Sequence, residues 1–164
     1  LTSHELKTIR PSLQVPQVRY TGNNQPRDAD VYTAGLGYRK TFIGNWQPLL
    51  TANINGGEEH DIRNRPDLGR DLYGGRLGFS VTPLPKWAVS VGGTYQHSRY
   101  QGPDALLLTV RKDNYYAADA TVSYSYTRNL SVRLELLTSK NSSNLDLYAY
   151  RRDMATLKVR YDFK

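Results

Sequence analysis

Two clusters of side chains have residue types suited to chemistry. The run Glu58-Glu59-His60-Asp61 offers carboxylate oxygens and an imidazole, the donors of a zinc or calcium site. These donors are consecutive, without the spacing such sites use, and the sequence around them reads as a charged surface loop. His97-Ser98-Arg99 places a base beside a hydroxyl, as nucleophilic catalysis requires. Adjacent residues on a strand point to opposite faces, so His97 cannot serve Ser98 directly. His4 is terminal and His60 belongs to the charged run, so neither replaces it. No catalytic residue, metal ligand or cofactor is assigned, and no enzymatic reaction is expected.

The elements that must position any functional group are β-strands. From Thr156 to Phe163 every second residue is apolar: Leu157, Val159, Tyr161 and Phe163 alternate with Thr156, Lys158, Arg160 and Asp162. A period of two gives a strand one apolar and one polar face. The same alternation runs through Tyr32-Ala34-Leu36-Tyr38 ending at Phe42, Trp46-Pro48-Leu50-Ala52-Ile54, Tyr73-Gly75-Leu77-Phe79-Val81 and Trp87-Val89-Val91-Gly93-Tyr95. It continues through Tyr116-Ala118-Ala120-Val122-Tyr124-Tyr126 and Leu130-Val132-Leu134-Leu136. With a weaker segment from Leu6 to Tyr20, the chain carries eight strand candidates. That first segment holds Pro11 and Pro16, which remove ladder donors and belong at an edge or bulge.

Alternation alone fits a soluble sandwich as well as a membrane barrel. Two further regularities favour the barrel. Connections at 43–45, 83–86 and 128–129 are short, whereas those near 21–30, 56–70, 101–113 and 140–149 are long and polar; the two kinds alternate, as in outer-membrane barrels. In the apolar register, Tyr32, Tyr73, Tyr95 and Tyr116 fall near the long-loop ends. Phe42, Trp46, Phe79, Trp87, Tyr126, Tyr161 and Phe163 fall near the short-turn ends, with aliphatic residues between. Two aromatic belts around an aliphatic band mark the two membrane interfaces. The expected fold is therefore all-β: one domain over residues 1–164, an antiparallel transmembrane barrel with eight strands in this chain. It is either complete or the C-terminal part of a larger barrel, since a proline-bearing edge strand does not suit a sealed one.

A third set of chemical groups appears once the polar register is read as lumen-facing. Arg39, Arg76, Arg133, Lys158 and Arg160 share that face with Asp119, Glu135 and Asp162. In a narrow barrel they form a paired network that fills the interior, because charges in a dry lumen must be paired. In a wide one the excess of cations lines a water path and favours anionic cargo.

Composition agrees. Tyr at 13 against Phe at 3, 13 Gly and one Met are a β-protein's balance. A mean hydropathy of −0.63 does not exclude the membrane, because barrel strands hide their apolar residues in alternation. Cysteine is absent, so no disulfide or thiolate metal site is expected. The net charge of +7 comes from 22 Lys and Arg scattered singly among 15 acids, without the basic run of a nucleic-acid surface. The start Leu1-Thr2-Ser3-His4 has neither the basic nor the apolar part of a signal peptide, so the chain reads as a processed or excised piece.

At Gly56-Gly57-Glu58-Glu59, Arg65-Pro66-Asp67-Leu68-Gly69-Arg70, Tyr73-Gly74-Gly75-Arg76-Leu77-Gly78, Ser98-Arg99-Tyr100, Arg111-Lys112-Asp113, Asn141-Ser142-Ser143-Asn144 and Tyr148-Ala149-Tyr150-Arg151-Arg152, the chain resembles a known group. Over roughly residues 20–164 it is similar to the C-terminal barrel of bacterial outer-membrane proteins with tetratricopeptide repeats, including the surface lipoprotein assembly modifier family. The resemblance implies a Gram-negative outer-membrane location and a transport or translocation pore for surface lipoprotein or exported polymer such as polysaccharide. It further implies contact with outer-membrane lipid and insertion by the barrel-assembly machinery, with Leu157, Val159, Tyr161 and Phe163 as the assembly signal. The chain departs from the group in lacking the helical repeats and in ending on Lys164 after the terminal aromatic. The alternative function is a small non-conducting barrel, an anchor or surface adhesin acting through its long loops. No nucleic-acid partner is expected.

Overall fold

A computed structural model describes residues 5–19, 28–62 and 67–163. Tyr20, Arg65-Pro66, Lys164 and most of the first long connection lie outside them. The strands are β1 (Leu6–Gln14), β2 (Gln17–Val18), β3 (Ala29–Thr41), β4 (Leu49–Asp61), β5 (Arg70–Val81), β6 (Trp87–Pro103), β7 (Val110–Ser125), β8 (Leu130–Ser143) and β9 (Tyr150–Tyr161). They form one antiparallel sheet in the order β1-β3-β4-β5-β6-β7-β8-β9, with β2 also pairing β3. This is a meander, the arrangement that short connections impose on successive strands.

Three expectations are corrected. The eight expected strands become nine among the described residues, because the first segment splits at Val15-Pro16; both parts pair β3, and Pro16 contributes its carbonyl, to Val31 N at 3.0 Å. The expected long loops are partly strand: β4 runs to Asp61, β6 to Pro103, β7 begins at Val110, and β8 and β9 leave only 144–149 between them. Their side chains do not alternate, but backbone pairing needs no such pattern. The sheet is also open, since β1 and β9 each have a neighbour on one side only.

Register fixes the two faces. Leu36, Ile54, Gly75, Tyr95 and Tyr116 lie opposite one another across β3–β7, and the neighbouring row runs Tyr38, Ala52, Leu77, Gly93, Ala118. Ile9 and Leu13 of β1 pair Tyr38 and Ala34 and so extend the same apolar face. The other face carries Arg39, Asn53, Arg76, Thr94 and Asp119.

Burial is inverted relative to a water-soluble fold. Leu77 and Ile54 are each 63% exposed and Leu157 is 69% exposed, while Ser98 is 4% and Asn141 5% exposed on the polar face. Among the described residues the only buried hydrophobics are Ala29 and Leu145. The polar face is also the crowded one: a Cβ added at Gly57, Gly74 or Gly92 there would collide with neighbouring strands or side chains. The sheet thus curls toward its polar face and presents its apolar face outward. No helix among the described residues is long and apolar enough to cross a membrane.

Candidate functional site

The polar face gathers most of the expected charges into pairs. Arg76 on β5 reaches across β6 to Asp119 on β7, with Nη1 donating to Oδ1 at 2.6 Å and Nη2 to Oδ2 at 2.8 Å. Arg76 Nη1 also donates to Thr94 Oγ1 at 3.0 Å. Such bidentate, charge-assisted geometry is the strongest guanidinium–carboxylate arrangement. The reach is possible because the intervening residue is Gly92, which pairs Gly78 and Asp119 and leaves the space beneath the guanidinium free.

A second group spans β8 and β9. Lys158 Nζ donates to Glu135 Oε2 at 2.6 Å, and Arg133 lies 3.7 Å from the other carboxylate oxygen while donating to Ser123 Oγ at 3.1 Å. Arg160 bonds Asp162 at 2.9 Å just beyond the strand end. Arg39 makes no ion pair among the described residues. Register brings all of these charges except Asp162, which follows β9, onto one face in two separate groups rather than one cluster.

Arg10 and Arg152 belong to the same face, opposite Gly37 and Ser139, and the sequence reading missed both. Arg10 was hidden by the prolines around it. Arg152 fell between the expected loop at 140–149 and the expected strand from Thr156, although it keeps the two-residue spacing to Thr156, Lys158 and Arg160. Cations therefore exceed acids on this face.

At the edge of the sheet near Pro103 and Val110, two connections are tied together. Tyr148 Oη, in the 3-10 turn Asp146–Tyr148, donates to Asp104 Oδ2 at 2.6 Å. Asp104 Oδ1 accepts from the Leu106 and Leu107 amides at 2.9 and 3.0 Å. Arg111 stacks 3.6 Å from the Tyr148 ring and 4.7 Å from the Tyr100 ring, and its guanidinium pairs with Asp113 at 2.5 Å. The Tyr148 hydroxyl and the two amides hold the Asp104 carboxyl below its usual range, and the Asp104 hydrogen bond pushes the Tyr148 phenol up. Asn144 adds a third tie, accepting from Lys112 N at 2.6 Å and donating to Val110 O at 2.9 Å. This latch leaves Leu106 and Leu108 projecting from the loop, Leu108 with a left-handed φ of 52°.

The remaining candidates are dispersed. Glu58 and His60 share one face of β4 at 3.0 Å, whereas Glu59 bonds Arg70 at 2.7 Å on the other; no group of three metal-binding side chains occurs among the described residues. His97 lies against Tyr73 and meets Asn114 Oδ1 at 2.9 Å, while Ser98, on the opposite face, accepts from Gln96 at 3.3 Å. Leu157, Val159 and Tyr161 lie exposed on the apolar register of β9, and Phe163, beyond the strand end, packs edge-on to Tyr161 at 4.8 Å between centroids. No family model, curated protein or solved structure matches this chain.

Proposed function

We propose that this chain forms the wall of a bacterial outer-membrane β-barrel, with its apolar face against lipid and its polar face lining a transport or translocation path. The inverted burial carries this reading. Leaving so much apolar surface in water would forfeit about 25 cal/mol per Å², and no hydrophobic core among the described residues offsets that loss. Strand length supports it: β3 to β9 have 12 to 17 residues each, at or above the roughly 9–11 that a tilted strand needs to span a bilayer. Lipid cannot satisfy an open edge, so β1 and β9 meet further strands or each other in the membrane. The cation excess suits anionic or polymeric cargo, in keeping with the resemblance to repeat-bearing barrels that move surface lipoproteins or polysaccharide.

Planar-bilayer recording of the refolded protein tests this function. Discrete conductance that favours anions supports a path, and a silent bilayer containing inserted protein rejects it. A second reading is an anchor or adhesin, favoured by the latched loop that presents Leu106 and Leu108. Deleting residues 105–108 then abolishes surface attachment while leaving folding intact.

A further inference from the structure

We propose that the apolar face carries a binding site for a phosphorylated, multiply acylated lipid, its headgroup held by Lys140 and Arg151. This deepens the membrane reading above and rests on it. A trough of about 1360 Å³ crosses the sheet and ends at these two cations, which are direct partners on β8 and β9. In register they continue the row of Tyr95 and Tyr116, so the charges sit beside an aromatic belt, at the depth of lipid phosphates. Lys140 makes no ion pair among the described residues, and Arg151 shares only Asp153, at 3.1 Å. On the same face, four residues nearer the loops on β6 and β7, Arg99 and Lys112 form another pair of facing cations.

The trough floor is glycine by steric need at Gly75, where a Cβ would lie 2.7 Å from Asn53 O, but by composition at Gly56 and Gly93. A Cβ at Gly56 would meet nothing closer than 3.5 Å and one at Gly93 nothing closer than 4.0 Å. On the polar face a Cβ at Gly57, Gly74 or Gly92 collides, whereas one at Gly37 would not. Nothing in the sheet requires Gly93 to lack a side chain, so the space above it is free for a ligand. A second depression of about 700 Å³ shares Ala118 and Thr138 with the first and is floored by Ala120 and Ala155. A phosphate at Lys140–Arg151 would sit above both depressions, with Asp153 of the second already paired to Arg151, a charge and shape pattern that matches an anionic lipid with more than one chain.

The test is native mass spectrometry of the full chain, refolded into vesicles and released from micelles. The vesicles are pure phosphatidylcholine, or phosphatidylcholine with monophosphoryl lipid A. The proposal expects retained monophosphoryl lipid A on the intact protein and at least tenfold less on Lys140→Gln/Arg151→Gln. It expects a similar loss on Gly93→Leu, which fills the trough without changing charge. Added inorganic phosphate should not displace the lipid, because the chains contribute to binding. Equal retention by the charge variant, or equal retention of phosphatidylcholine, overturns the lipid site. Displacement by phosphate alone overturns it in favour of a simple anion site. Failure to insert into pure phosphatidylcholine instead overturns the membrane reading itself. Insertion is scored beforehand by heat-modifiable gel mobility, which also shows that each variant folds.

Discussion

Replacing Gly92 by Ala should destabilise the sheet only while Arg76 is present. Gly92 lies under the Arg76–Asp119 pair, where a Cβ would overlap Arg76 Nη2 and sit 2.8 Å from Cζ and 3.0 Å from Asp119 Oδ1. Its φ is not positive, so the backbone itself accepts Ala. The obstructed atoms are the tip of a flexible side chain, so the guanidinium shifts and gives up its bidentate geometry. A hydrogen bond to a charged group contributes about 1.5–3 kcal/mol when shielded. The Arg76 side chain is 41% exposed and that of Asp119 26%, which screens the pair and lowers the loss to about 1 kcal/mol. In an Arg76→Ala background the obstruction is gone, and Ala in a strand interior is favoured over Gly by about 0.5–1 kcal/mol. That preference applies in both backgrounds, so Gly92→Ala costs about 0–0.5 kcal/mol net beside Arg76 and stabilises without it, a coupling of about 1 kcal/mol. Urea titrations of the four proteins in lipid vesicles, followed by fluorescence of Trp46 and Trp87, measure it. Additivity within about 0.3 kcal/mol would refute the reasoning, because independent sites behave that way.

Val91 lies in the aliphatic band between Phe79 and Ala120, so Val91→Arg should cost about 2–4 kcal/mol of folding stability in vesicles. Ser90→Arg on the polar face should cost much less, and the same titrations compare them. The latch should be pH-bounded. The lowered carboxyl of Asp104 makes its contribution full above the ordinary carboxylate value and lost as pH falls through the depressed one. The raised phenol of Tyr148 makes its contribution full below about 10 and lost as pH rises further. Limited proteolysis at 104–109 should therefore be slow at neutral pH and faster below about pH 4, and Tyr148→Phe should be cleaved several-fold faster at pH 7. A cleavage rate flat across that range and unchanged by Tyr148→Phe would dismiss the latch.

Strand identity was legible wherever one face met an apolar and the other a polar environment. Leu36, Ile54, Leu77, Val91, Ala120, Leu134 and Leu157 were all assigned to the face they occupy. Legibility ended where both faces become polar. Glu58-Glu59-His60-Asp61 and Lys112-Asp113-Asn114 show no period of two, yet backbone pairing carries β4 and β7 through them. Pro11 and Pro16 obscured the first strand in the same way and hid Arg10. The pairing within the site was beyond sequence reach for another reason. Arg76 and Asp119 stand 43 residues apart with β6 between them, and Asp104 and Tyr148 stand 44 apart, so only register brings them together. The openness of the sheet was foreshadowed by Pro11 of β1, whose missing donor belongs at an edge.

The most direct measurement of the central claim is a nitroxide scan along β7, residues 116 to 124, in lipid vesicles. The chain has no cysteine, so each label site is unique. Oxygen, which concentrates in hydrocarbon, should relax labels at 116, 118, 120, 122 and 124. A water-soluble nickel chelate should relax those at 117, 119, 121 and 123. Equal access of the chelate to both sets, or the reverse alternation, would contradict a lipid-facing apolar face.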